Sequence, residues 1–187
     1  MNVFDVELVS GRIKLRRIRV DDLSDLYEFT SRKSITEYLE WSAHINPSET
    51  RNFIDRILRD YEINTSSFLW GIEYLENSKL VGTCRIYDYS ASYGRAEISY
   101  VINPDYQGKG LMYEALRKIY EFCFNQLRLV RIQAKCSTKN IGSIRLLEKS
   151  GMKKEGCLRK LYKAHGELHD SFIFSIITDE YISESDK

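Results

Sequence analysis

Residues 100–116 read YVINPDYQGKGLMYEAL: a strand runs into two glycines flanking Lys109 and from there straight into a helix. Gly108 and Gly110 have no side chain to block approach, and the first turn of a helix carries free backbone N–H groups. Together they make a cradle for phosphate oxygens. Two nucleotide motifs fail on the residues present. A dinucleotide fingerprint wants a third glycine where Tyr113 stands, and no acidic residue follows at the expected spacing. A Walker loop wants Ser or Thr after the lysine, where Gly110 stands. An ordinary glycine-bearing turn between a strand and a helix is the plain alternative.

Outward from this loop, the period of the apolar residues sets the element order. Upstream, 12–20 alternates charge with Ile13 and Leu15 as a strand does, and Asp21 is placed to cap the short helix that follows. After the stretch Ile35 to Trp41, Asn46-Pro47 opens a helix with Phe53, Ile54, Ile57, Leu58 and Tyr61 on one face. Residues 68–76 and 79–90 form a hairpin through Asn77-Ser78, and Ala96 to Ile102 is a third strand. Downstream, a helix from Leu111 to about Gln126 turns Met112, Ala115, Leu116, Ile119 and Cys123 inward. A strand over 128–137 and a helix from Asn140 to Lys149, ended by Gly151, follow. A last hairpin turns near His165-Gly166. The order β-α-α-β-β-β-α-β-α-β-β implies an α+β (αβα) fold: a mixed, mostly antiparallel sheet of about seven strands flanked by about four helices. No linker or repeat interrupts it, so residues 1–187 read as a single domain with 1–10 and 182–187 frayed.

Composition narrows the function classes. The 28 Lys and Arg against 27 Asp and Glu leave a net charge of +1, so bulk charge points to neither nucleic acid nor membrane as partner. No stretch approaches the roughly 20 apolar residues of a membrane span, and Met1 to Val9 is no signal peptide. Cys84, Cys123, Cys136 and Cys157 are widely spaced without a CxxC pair, and read as buried small hydrophobes in a reducing, cytoplasmic setting. His165 and His169 straddle a turn with no third ligand in view, so no metal is expected. Arg12, Lys14, Arg16, Arg17 and Arg19 read as a charged edge strand.

Gln107-Gly108-Lys109-Gly110-Leu111-Met112 resembles the Q/R-x-x-G-x-G/A acyl-CoA loop of the GNAT superfamily of N-acetyltransferases. Ala96-Glu97-Ile98-Ser99-Tyr100-Val101 before it, Met112 to Ala115 after it, and Asn140 to Met152 are similar to the RimJ/RimL-type branch, as are Leu15-Arg16 and Gly166 through Asp170. The resemblance runs over 12–180 in order. Met112 and Ser99 depart from the usual small residues, and Gln107 stands where the branch often has Trp.

The resemblance implies acetyl-CoA as co-substrate in a V-shaped opening between the strands at 96–102 and 128–137. The pantetheine arm would lie along Tyr100, Val101 and Ile102, with the pyrophosphate on the amides of 107–112 (Gln107, Gly108, Lys109, Gly110, Leu111, Met112) and Lys109 adding charge. Asn140 would reach the pantetheine and Ser143 the sulfur. An amine attacks a thioester only when neutral; an α-amine is about one-tenth neutral at pH 7, a lysine roughly 0.04%. A base and an oxyanion donor are therefore needed. Glu97, taken to point at the cleft, is the candidate base, Ser143 the donor to sulfur, and the N–H of Val101 or Ile102 the oxyanion donor. Tyr38, Trp41 and His44 fall where the family builds its acceptor pocket.

The function expected is direct acetyl transfer to a primary amine within a ternary complex, by a monomer or homodimer. The N-terminal amine of a ribosomal or other protein is one acceptor; a polyamine or antibiotic is the alternative. A CoA-binding module without catalysis and a nucleotide-phosphate binder are rival readings.

Overall fold

In the computed structural model residues 6–63 and 66–185 are described, the side chains of 182–185 excepted. The strands are β1 (Leu8–Val9), β2 (Ile13–Arg17), β3 (Phe68–Tyr74), β4 (Lys79–Ser90), β5 (Arg95–Ile102), β6 (Arg131–Ser137), β7 (Lys153–Ala164) and β8 (Glu167–Ile177). The helices are α1 (Leu23–Thr30), α2 (Lys33–Thr36), α3 (Pro47–Ile63), α4 (Leu111–Glu121), α5 (Ile141–Lys149) and α6 (Thr178–Ser185). One sheet has the order β1-β2-β3-β4-β5-β6-β8-β7. Every neighbouring pair is antiparallel except β5 and β6.

The parallel pair follows from its connection. A crossover through α4 returns the chain in the direction it left, whereas the hairpins reverse it. Trp70, Cys84 and Tyr100 stand opposite one another across β3, β4 and β5 and so share a face. On that face Trp70 meets Phe122 just beyond α4, and Tyr100 meets Ser143 of α5. Arg16 and Gly71 are paired on the other face, where the short turn Val20–Asp22, α1 and α3 lie. Helices thus cover both faces, and fully buried Trp70, Tyr120, Phe29, Phe68, Phe122 and Phe174 fill the core.

The expected α+β layering holds, with differences that each have a local cause. The sheet has eight strands, because Leu8–Val9 pairs with β2 where a frayed end was expected; residues 1–5 lie outside the described residues. Arg128 sits at φ +56, so β6 begins at Arg131 rather than 128. Regular α4 ends at Glu121, and Phe122–Gln126 continues as a π-helical turn. The C-terminal segment is helical to Ser185: Tyr181 stacks on Phe124 at 4.9 Å, and Thr178 donates to the Leu129 carbonyl at 3.0 Å. Cys84, Cys123 and Cys136 are buried as expected, but Cys157 is exposed on the sheet's last strand.

The basic cluster is no edge strand, since β2 lies between β1 and β3. Its Arg16 is 4% exposed. The guanidinium holds Asp22 bidentately at 2.8 and 2.9 Å and also bonds Glu73. Burial opposes its charge, but the two carboxylates outweigh this and hold Arg16 above its ordinary range. Asp22, not Asp21, also accepts from the Arg19 N–H at 2.6 Å and so starts the helical region. Arg16→Met leaves two carboxylates without their buried partner. It is expected to lower unfolding free energy by about 3–5 kcal/mol, measured by urea titration at pH 7.

Candidate active site

β5 and β6 pair from Arg95–Arg131 to Ile98–Ala134 and then part. Beyond that point β5 stays with β4 and β6 with β8. Asn103 N–H donates to the Val81 carbonyl at 2.8 Å. By the alternation of a strand, Val101 and Ser99 then turn their backbone groups to β4, and Tyr100 and Ile102 turn theirs to the gap. Of the two expected oxyanion donors, only the Ile102 N–H therefore faces the opening; that of Val101 is turned to the sheet.

The gap opens into a cleft of about 580 Å³. Its walls include Tyr100, Val101 and Ile102 of β5, Gln107, Gly108, Gly110, Leu111 and Met112 of the loop, Asn140 just before α5 and Ser143 within it. Ser34, Ile35, Tyr38 and Leu39 close it from α2 and the residues just after it. Tyr106, Tyr113, Gly142, Leu146 and Lys149 also line it and were missed from sequence. Tyr106 and Tyr113 lie within the segment quoted first, so their signal was nearness to the glycines.

The loop is built by its glycines and held from behind. Gly108 and Gly110 take φ of +74° and +80°, which L side chains resist. Arg12 donates to the Lys109 carbonyl at 2.9 Å and to Glu114 through Nε at 3.0 Å and the backbone at 2.7 Å. Glu114 N–H is the first to bond back, to the Gly110 carbonyl at 3.0 Å. The amides of Leu111, Met112 and Tyr113 are thus the unmatched donors of a helix start. The Met112 side chain is 5% exposed and packs in the core, so this departure leaves the loop's amides in place. Lys109 is not part of the cleft wall; its ammonium lies 4.7 Å from the Tyr106 ring centre.

Asn140 caps α5 by accepting from the Ser143 N–H at 3.0 Å. Ser143 Oγ lies 2.8 Å from the Tyr100 hydroxyl. Burial pushes the Tyr100 phenol up, and pushes the neighbouring Cys136 thiol up to about 11. Both are therefore neutral near pH 7; one hydroxyl of the Tyr100–Ser143 pair donates to the other, which leaves the second hydroxyl's hydrogen for a charge that develops in the cleft.

Glu97 does not open on this cleft. It is 2% exposed and lies on the sheet face opposite Tyr100. Its carboxylate accepts from Gln133 at 2.9 Å and Lys135 at 2.8 Å, and from the Tyr87 hydroxyl. Burial first, and then that carboxylate, push the Tyr87 phenol far up. Trp41 and His44 also lie outside the wall. His44 Nδ1 is 2.8 Å from Thr50 Oγ1, and its ring packs between Trp41 and Phe53 at 5.5 and 6.1 Å. Burial lowers the pKa of His44. Of the three expected acceptor residues, only Tyr38 lines the opening. Among the described residues, no group of three or more His, Cys, Asp and Glu could hold a metal ion, and no helix is long and apolar enough to cross a membrane.

A sheet that forks at a parallel pair beside a glycine-built helix start is the arrangement that the resemblance to N-acetyltransferases implied. The model of the acetyltransferase (GNAT) domain matches residues 12–153, and the chain belongs to that family. The uncharacterized N-acetyltransferase p20 of Bacillus licheniformis is 32% identical, over 93% of this chain and 97% of its own. Spermidine N(1)-acetyltransferase of Escherichia coli K12 is 23% identical, over 92% and 89%. A GNAT-family acetyltransferase structure from Bacillus anthracis superimposes with a TM-score of 0.82 at 26% identity, covering 93% of this chain and 99% of that one. The protein is an N-acetyltransferase.

Proposed function

We propose that the chain transfers the acetyl group of acetyl-CoA directly to a primary amine in a ternary complex, with the N-terminal amine of a protein as acceptor. The observation that carries this reading is the fork: the free backbone edge of Tyr100 and Ile102 leads straight to the amides of Leu111, Met112 and Tyr113. A pantetheine arm has amide groups that pair with such an edge as an added strand does. A pyrophosphate suits unmatched N–H groups at a helix start. Asn140 and Ser143 stand where the arm turns into the fork. Ser143, bonded to Tyr100, is the donor to the departing thiolate, and the Ile102 N–H supports the oxyanion.

For the proton of the attacking amine the reading keeps Glu97, acting through water. Its carboxylate is four residues before Val101 on the same face of β5. Its partner Lys135 has a side chain 34% exposed, so the cluster reaches solvent. The charge of the cleft favours the acceptor class. Its wall contains no Asp or Glu among the described residues, and Lys149 is its charged side chain. A peptide α-amine becomes neutral to react, whereas a polyamine would bring further ammonium groups that meet no carboxylate in the wall itself, Glu37 beside it being bonded to the Tyr38 hydroxyl.

Thiol release from acetyl-CoA is expected with peptides bearing a free α-amine, and to be weaker with spermidine, aminoglycosides or lysine-only peptides. Preference for spermidine would reverse the acceptor assignment. Silence alongside measurable CoA binding would favour a module without catalysis. Gly108→Ala places a methyl in open space at a positive φ; it is expected to weaken acetyl-CoA binding by about tenfold or more by calorimetry, with strain near 1 kcal/mol. Glu97→Gln is expected to lower kcat by about two orders of magnitude and leave acetyl-CoA affinity within about twofold. An unchanged kcat would leave Glu97 the role of holding the strands alone.

A further inference from the structure

The hairpin of β7 and β8 turns through His165 and Gly166, with Ala164 opposite Glu167 on either side. Both turn residues take positive φ, +50° and +88°. A two-residue turn of this kind favours Asn before Gly. Histidine suits the backbone less well there, so the reason for it lies in its ring. That ring has a partner far away in the chain: His165 Nε2 lies 2.8 Å from the Thr36 carbonyl. A carbonyl only accepts, so the Nε2–H donates.

Thr36 is the last residue of α2, and Ser34, Ile35, Tyr38 and Leu39 around it line the cleft. The other hydrogen bonds of this segment are local. Ile35 N–H reaches the Arg32 carbonyl and Leu39 N–H the Thr36 carbonyl, both at 3.0 Å, and Thr36 Oγ1 donates to the Lys33 carbonyl at 3.2 Å. Among the described residues, the bond from His165 is the one that ties 33–39 to a distant part of the fold. It also spans the fork. β6 ends at Ser137, opposite Ser171, so the hairpin runs on beyond it to the turn. α2 belongs to the other arm: α1 beside it packs on β4, and Arg32 just ahead of it holds Asp105 after β5. His165 thus joins the arm of β4 and β5 to that of β6 and β8, where the sheet no longer does. In the arrangement proposed above, Tyr100, Ile102, Asn140, Ser143 and the amides of 111–113 serve the acetyl donor. Ser34 to Leu39 face the opening without a part in it.

Resting on that reading, we propose that His165 is a positioning residue: its bond to Thr36 holds the wall from Ser34 to Leu39 in place for the acceptor amine. His165→Asn tests this, because it suits the turn while its side chain ends short of the reach of Nε2. His165→Gln restores an N–H donor at about that reach. In His165→Asn the amides of 33–39 are expected to exchange hydrogen faster, with the rest of the chain as in the wild type. With a serine-initiated hexapeptide bearing a free α-amine, the acceptor KM is expected to rise about fivefold, the worth of one hydrogen bond. The kcat, and the acetyl-CoA affinity by calorimetry, are expected to stay within about twofold, and the Tm to be unchanged or slightly raised. His165→Gln is expected to recover both the slow exchange and the KM. Unchanged exchange in 33–39 overturns the tie, whatever the activity. Faster exchange with an unchanged acceptor KM makes the bond structural and overturns the role. Weakened acetyl-CoA binding in place of a raised acceptor KM gives this wall to the donor and overturns it as well. No thiol release by the wild type with the peptide or with spermidine removes the acetyl-transfer reading and the role that rests on it, while faster exchange would still leave the tie itself standing.

Discussion

The separation of β5 from β6 beyond Ile98 and Ala134 is the constraint on which the site depends. Two strands that stayed paired would bury the backbone groups of Tyr100 and Ile102 in a ladder and leave no edge for a ligand. Both faces of the sheet are arranged around this point. On one, Glu97 collects Tyr87, Gln133 and Lys135 and so ties β4, β5 and β6 together where β5 and β6 are about to part. On the other, the Tyr100–Ser143 bond brings the start of α5 against β5 beside the gap. A buried carboxylate with three donors is costly to rearrange, so this cluster opposes any shift of the three strands at the fork.

The loop that completes the site depends on a second set of polar ties. Arg12, from the chain entering β2, reaches the Lys109 carbonyl and Glu114 and so fixes the start of α4. Arg32, beyond α1, holds Asp105 through two bonds of 2.8 and 2.6 Å, and Glu28 accepts from buried Asn103 at 2.8 Å. Exposed ion pairs contribute little to stability one at a time. Here their effect is positional: they join the N-terminal helices to the segment between β5 and α4, so that the two walls of the cleft are set relative to one another.

The glycine loop was legible because it is local: two glycines beside a helix start state their geometry within a few residues. The cap of α5 is as local, yet Asn140 was read only as the start of that helix and, through the resemblance, as a pantetheine contact. Glu97, Trp41 and His44 were placed by sequence neighbourhood, and that is where the placement failed. One residue of strand register decides which face a side chain takes, and Glu97 falls on the face opposite Tyr100. Trp41 and His44 follow Tyr38 closely in the chain, but His44 turns to Thr50 and Phe53 of α3. Arg16 shows the same limit: an alternating basic strand looks exposed until β1 flanks it and Asp22 and Glu73 close over it.

The sequence by itself determined the order of the longer elements from β2 to β8, the mixed sheet and the glycine-built helix start, since hydrophobic period and turn residues act over short range; β1, the short α2 and the C-terminal α6 escaped it. Only the tertiary structure decided where the strands part, which side chains enter the cleft and which carboxylates are buried and already partnered. Those outcomes depend on pairs far apart in the chain, such as Glu97 with Lys135 and His165 with Thr36, and no local pattern encodes a distance between them.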